Sequence, residues 1–158
     1  MSKLQDEVDL LRSIPMLANL PKNKLELLAF SSDRVSYPKG EVVFRQGDDA
    51  DAAYIVISGT ADVLVSSDGS SKESKVAELG PHSFVGDMAI LCDIPRTATI
   101  QANENLDTLR IKKEHMMDMM RDSPELSMSV LRELVQRLAK TTHDLSIARD
   151  EVSRLKAS

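Results

Sequence analysis

The sequence predicts a mainly β fold with flanking helices: an eight-stranded antiparallel β-roll, jelly-roll-like, with N-terminal helices and a long C-terminal helix. Two observations predict it. Between residues 34 and 112, short β-rich runs alternate with turn-forming residues, the texture of a roll or barrel. Beyond Pro124 no proline or glycine occurs, so a helix of about thirty residues can run to the C-terminus. The divisions expected are N-terminal helices over 1–30, the roll over 31–112, and C-terminal helices with a dimer-forming helix over 113–158.

Leu4, Val8 and Leu11 recur at helical spacing until Ile14-Pro15 stops the pattern. Leu20-Pro21 starts a second helix, whose Leu25, Leu27, Leu28 and Phe30 supply an apolar face. Both helices are expected to be peripheral. Strand-like runs follow at Arg34 to Tyr37, Glu41 to Phe44, Ala53 to Ser58, Thr60 to Ser66, Lys75 to Leu79, Thr97 to Asn103 and Leu106 to Lys112. Pro38-Lys39-Gly40, Gln46-Gly47-Asp48, Ser58-Gly59, Asp68-Gly69 and Leu79-Gly80-Pro81 punctuate them. Ser66 to Ser74 reads as an exposed hairpin loop. Met116, Met117, Met119 and Met120 lie in one amphipathic segment without a Cys or His array, so they pack a core rather than bind a metal.

Composition excludes several functions. At 158 residues, with 42% hydrophobic and 28% charged content, the chain makes one packed domain. A net charge of −5 argues against a general binder of nucleic-acid backbones, which needs clustered Lys and Arg. The acidic, interrupted start is no signal peptide and no apolar run approaches membrane-spanning length, so a cytoplasmic protein is expected. Cys92, the one cysteine, sits in an apolar stretch where packing explains it. His82, His115 and His143 form no His-x-His pair, and no nucleophile constellation is recognisable, so neither a metal site nor an enzyme is expected.

The chemistry concentrates in Phe84 to Ile100. Gly86 lets backbone approach a ligand closely, and Asp87 to Leu91 can form a short helical turn with free amides. Arg96 adds a planar donor fork suited to phosphate oxygens, while Asp87 is an acceptor suited to a sugar hydroxyl. An anion and a hydroxyl are the two polar features of a cyclic nucleotide.

Gly86-Asp87-Met88-Ala89-Ile90, then Pro95-Arg96-Thr97-Ala98-Thr99, resembles the phosphate-binding cassette of the cyclic nucleotide-binding domain family. Ile14-Pro15, Tyr37 to Glu41, Gly47-Asp48, Tyr54 to Val56, Gly59 and Gly80 look like that family's roll signature. The resemblance implies that Arg96 holds the cyclic phosphate and Asp87 the ribose 2′-hydroxyl. It further implies that Gly86 and the amides around Met88, Ala89 and Thr97 surround the phosphate, and that the Thr97 hydroxyl meets phosphate or base. Asp87 stands where the family usually has Glu, one methylene longer, so its ribose contact is expected to be stretched or water-mediated. The ligand expected is cyclic AMP in preference to cyclic GMP, with no other cofactor.

In the long helix Leu131, Leu138, Leu145 and Val152 repeat every seven residues, with Leu134, Thr141, Ala148 and Leu155 offset by three. That is an a/d seam whose Asp144 and Glu151 would face Arg149 and Lys156 of a parallel second copy. Arg137-Leu138 and Thr141-Thr142 look like the stretch from which catabolite activator proteins contact adenine across their dimer, which makes Thr141 and Thr142 candidate base contacts. Those proteins add a DNA-reading domain beyond this helix; a complete chain ending at Ser158 is expected to have none, and its output would pass through an effector protein or through competition for ligand. The alternatives are a degenerate roll serving as a dimeric interaction module without ligand, and the ligand-binding fragment of a larger transcription regulator.

Overall fold

The computed structural model describes residues 3–68 and 72–157. Helices α1 (Lys3–Arg12) and α2 (Lys22–Phe30) lead into strands β1 (Asp33–Tyr37), β2 (Val42–Phe44), β3 (Ala52–Ser58), β4 (Ala61–Val65), β5 (Ser74–Leu79) and β6 (Phe84–Val85). Helix α3 (Asp87–Cys92), strands β7 (Thr99–Ala102) and β8 (Leu106–Lys112), and helices α4 (Lys113–Asp122) and α5 (Pro124–Ala157) complete the chain. The strands form two antiparallel sheets, ordered β1-β8-β3-β6 and β2-β7-β4-β5. Beside the seven strands that the sequence runs anticipated stands β6, a two-residue pairing with β3 immediately before Gly86.

Strand β3 explains how the layers join. Alternate side chains of a strand point to opposite faces. Ala52, Tyr54 and Val56 fill the roll interior with Val85, Ile100 and Leu106, while Ala53 and Ile55 join Leu109 and Ile111 against the helices. A strand covered on both faces reads as a continuous apolar run, as Ala52 to Ile57 does. The helix-side core takes Val8 and Leu11 from α1, Leu25 and Leu28 from α2, Met116 and Met119 from α4, and Leu126 and Val130 from α5. Met116 and Met119 therefore pack as expected, with Met120 against them, while Met117 is half-buried outside that cluster. The N-terminal helices, expected to be peripheral, instead help build the larger core, because β3 and β8 present a second apolar face that needs covering. On α2 the buried residues are Leu25, Leu28 and Ala29, whereas Leu27 and Phe30 point outward, Phe30 being 82% exposed. Cys92 is exposed rather than packed, because it ends the short α3 on the side away from Ile90.

Ser123 caps α5, its hydroxyl accepting a hydrogen bond from the Leu126 amide. The helix is 34 residues long. Its roll-facing stripe runs through Leu126, Val130 and Leu134, and every described residue from Leu138 onward is exposed. The hairpin loop lies between the paired strands β4 and β5, with residues 69–71 outside those described.

Gly59 turns β3 into β4 at φ +88, and a Cβ there would collide with the Asn105 carbonyl and approach Leu106 Cα to 3.0 Å. Gly59→Ala is expected to cost at least about 2 kcal/mol, from left-handed backbone strain plus a contact with main chain that cannot swing aside. In thermal denaturation that corresponds to a midpoint lowered by about 4–8 °C; an unchanged midpoint would contradict the turn geometry.

Candidate functional site

A cavity of about 420 Å³ opens between the cassette, the roll wall and α5, a size ordinary for a small-molecule site. Phe44, Val63, Leu79, Phe84 and Ile100 give it apolar walls. Gly86, Asp87, Met88, Ala89, Arg96 and Thr97 all line it, so the structure brings together the cassette residues that the sequence singled out.

Gly86 sits at φ +79 as the N-cap of α3, and no side chain caps that helix. A Cβ on Gly86 would lie 2.5 Å from Arg96 Nη1 and 3.2 Å from Phe44. The glycine thus serves both the turn and the close approach of the guanidinium. Ile90 anchors α3 in the helix-side core, which fixes Ala89 in the cavity wall and leaves Met88 half out in solvent.

Arg96 is the structural centre of the cassette, only 3% exposed. Its Nη1 donates to the Gly86 carbonyl at 2.8 Å and its Nη2 to the Ala52 carbonyl at 2.5 Å. The guanidinium carbon stands 3.9 Å above the Phe44 ring centre, a cation–π stack. The main chain is tied too: the Arg96 amide donates to Asp48 O, and the Gly47 amide donates to Arg96 O, both at 2.8 Å. Burial pushes the guanidinium down from its ordinary value, opposed by Tyr54, Asp51 and Asp48; an arginine keeps its charge regardless. Its Nε is buried without a hydrogen-bond partner among the described residues. An orphaned buried N–H costs about 1–3 kcal/mol, so a permanently charged donor is held in this cavity wall with bonding capacity unused.

Asp87 is 2% exposed and already has a partner. Arg137, fifty positions along the chain on α5, donates to both carboxylate oxygens, Nη1 to Oδ1 at 3.3 Å and Nη2 to Oδ2 at 3.2 Å. A buried carboxylate requires such pairing. Arg137 thereby ties α5 to the cassette. The other α5 residue in the cavity is Glu133, half-buried one turn before Arg137. Thr141 and Thr142 are exposed on α5 and do not line the cavity of the single chain. They lie about 6–8 Å further along the helix axis than Arg137.

Sequence reasoning did not place Phe44, His82, Glu133 and Arg137 in the site. His82 lines the cavity at φ +71, with its Nδ1 against the Ser13 hydroxyl at the end of α1. Arg137 carried a signal, since it opens the stretch that resembles an adenine-contacting segment. Among the described residues no cluster of three or more His, Cys, Asp or Glu is placed to hold a metal ion, and no helix is long and apolar enough to cross a membrane.

Comparison with known proteins gives a consistent result. The model of the cyclic nucleotide-binding domain matches residues 34–123. An uncharacterized NTE family protein of Mycobacterium tuberculosis is 30% identical over 83% of this chain and 22% of its own length. A CRP-like cAMP-activated global transcriptional regulator of the same species is 29% identical over 71% of this chain, covering 50% of that protein. The chain thus spans half or less of the length of these relatives. The sensor domain of the transcriptional regulator DNR from Pseudomonas aeruginosa superposes with a TM-score of 0.79 at 27% identity, over 90% of this chain and 95% of that one.

Proposed function

The chain belongs to the cyclic nucleotide-binding domain family, and we propose that it is a cytoplasmic regulatory module that binds cyclic AMP in preference to cyclic GMP and acts through a protein partner. The observation that carries this reading is Arg96: a buried guanidinium in the cavity wall, immobilised by two carbonyls and a phenyl ring, with one N–H lacking a partner. A cyclic phosphate oxygen supplies that partner and a counter-charge at once. The ribose 2′-hydroxyl donates to Asp87, in a carboxylate that Arg137 already orients. The amides of Met88, Ala89 and Thr97 and the Thr97 hydroxyl complete the phosphate end, and the apolar wall of Val63, Leu79 and Ile100 receives the base.

The exposed Leu138, Leu145, Val152 and Leu155 on α5 support a parallel homodimer, in which Thr141 and Thr142 of one protomer cap the base held by the other. Their hydroxyls can accept from the exocyclic amine of adenine, which favours cyclic AMP. Because Arg137 joins α5 to the same carboxylate that takes the ribose, occupancy and helix position are linked, and the output travels along α5. Calorimetric titration with both nucleotides side by side tests the reading. Binding of cyclic AMP, tighter than cyclic GMP, is expected. No heat and no thermal stabilisation at millimolar nucleotide would overturn it.

Asp87→Glu restores the family's usual reach. The variant is expected to bind cyclic AMP a few-fold more tightly and to discriminate more strongly against the 2′-deoxy analogue, since the longer side chain recovers part of a charge-assisted hydrogen bond worth about 1.5–3 kcal/mol. Equal or weaker binding would mean that Asp87, with Arg137 behind it, is already placed for the hydroxyl.

A further inference from the structure

Glu133 lines the cavity but neither contacts the proposed ligand nor pairs with a residue that does. Among the described residues two arginines and two carboxylate side chains line the cavity, Arg96, Arg137, Asp87 and Glu133, with His82 beside them. Arg137 stands four residues after Glu133, the spacing at which a helix pairs opposite charges. It turns instead to Asp87, leaving Glu133 without a hydrogen-bond or ion-pair partner among the described residues. Asp87 and Arg137 cancel each other. What remains in the cavity wall is one cation, Arg96, which the exposed Asp51 reaches at 3.9 Å from outside the cavity lining, and one uncompensated carboxylate, half-buried on the opposing helix.

We infer that Glu133 is a specificity-determining residue that limits the charge of the ligand, admitting a singly charged cyclic phosphodiester and disfavouring the doubly charged 5′-monophosphate of the same nucleoside. The inference rests on the cyclic-nucleotide reading of the site. Coulomb repulsion scales with ligand charge, so each negative charge meets Glu133 separately. A monoanion brings the four residues and ligand together to −1, and a dianion to −2. At the distances that one cavity allows, and with the high effective dielectric of a partly open site, each ligand charge loses about three- to tenfold in affinity to Glu133.

The test titrates cyclic AMP and 5′-AMP into the parent, Glu133→Gln and Glu133→Asp at pH 8, where a phosphate monoester with a second pKa of about 6 is doubly ionised. Gln removes the charge at equal helix propensity, and Asp keeps it. In Glu133→Gln, cyclic AMP affinity is expected to rise about three- to tenfold and 5′-AMP affinity by roughly the square of that factor. The preference for the cyclic form then narrows by the same three- to tenfold. Glu133→Asp should keep the parent's preference, and high salt should narrow it in the parent but much less in Glu133→Gln. A Gln variant with an unchanged preference would overturn the inference. So would one that binds cyclic AMP more weakly, because Glu133 would then be supporting the ligand, for example by taking over Arg137. A parent that binds no cyclic AMP at all would instead overturn the functional reading on which the inference stands.

Discussion

Arg96→Leu is expected to weaken cyclic nucleotide binding by at least about tenfold. A charge-assisted hydrogen bond is worth roughly 1.5–3 kcal/mol, and each 1.4 kcal/mol is a factor of ten. The surroundings push the effect upward. Leucine removes the donors to the Gly86 and Ala52 carbonyls and the cation stacked on Phe44, so the cassette loses its anchor together with its charge. A lower melting temperature should accompany the lost affinity. Arg96→Lys separates the two causes: it keeps the charge but cannot span Gly86, Ala52 and a phosphate with one planar fork. Its affinity should also fall by about tenfold, the lower bound set by a single charge-assisted bond. A Leu variant that keeps the parent's affinity would show that the anion sits elsewhere.

Leu138→Glu combined with Leu145→Glu is expected to convert a dimer into monomers. In ultracentrifugation the parent should sediment at twice the 17.4 kDa chain mass, and the variant at the single-chain mass. Leu138 is 67% exposed and Leu145 55% in the single chain, so neither contributes to the roll's own core. Each buried leucine side chain is worth about 1.5–3 kcal/mol, and the substitution sets like charges against each other across a two-fold seam. Thermal stability of the roll should hold, which distinguishes a broken interface from an unfolded protein. Thr141→Ala with Thr142→Ala should leave the dimer intact and lower cyclic AMP affinity. A ligand-saturated parent that remains monomeric, or full affinity in the threonine variant, would remove the dimeric base cap.

Much of the site was legible because the cassette is local. Gly86, Asp87, Met88, Ala89, Arg96 and Thr97 fall within twelve residues, and a glycine, a short helical turn and an arginine in that order place a donor fork near free amides. The β-rich runs between turn residues likewise specified a roll, and the absence of Pro and Gly after Pro124 specified α5, because backbone propensity acts over a few neighbours. Burial and pairing depend on what the rest of the chain brings alongside, and there the sequence was silent or misleading. A two-residue strand such as Phe84–Val85 has no period of its own and exists only because β3 offers it an edge. Phe30 and Cys92 look like core residues in sequence but face water, since Leu25, Leu28 and Ala29 of α2 and Ile90 of α3 are the residues that turn into the helix-side core. The Asp87–Arg137 pair spans fifty positions, and Phe44 lies fifty-two positions before the Arg96 it supports. No sequence period encodes such a separation. The local chemistry of the cassette was therefore determined by the sequence itself. The identity of each charge's partner was decided only when α5 folded back across the cavity, because a buried ion pair is a property of two surfaces brought together rather than of either segment alone.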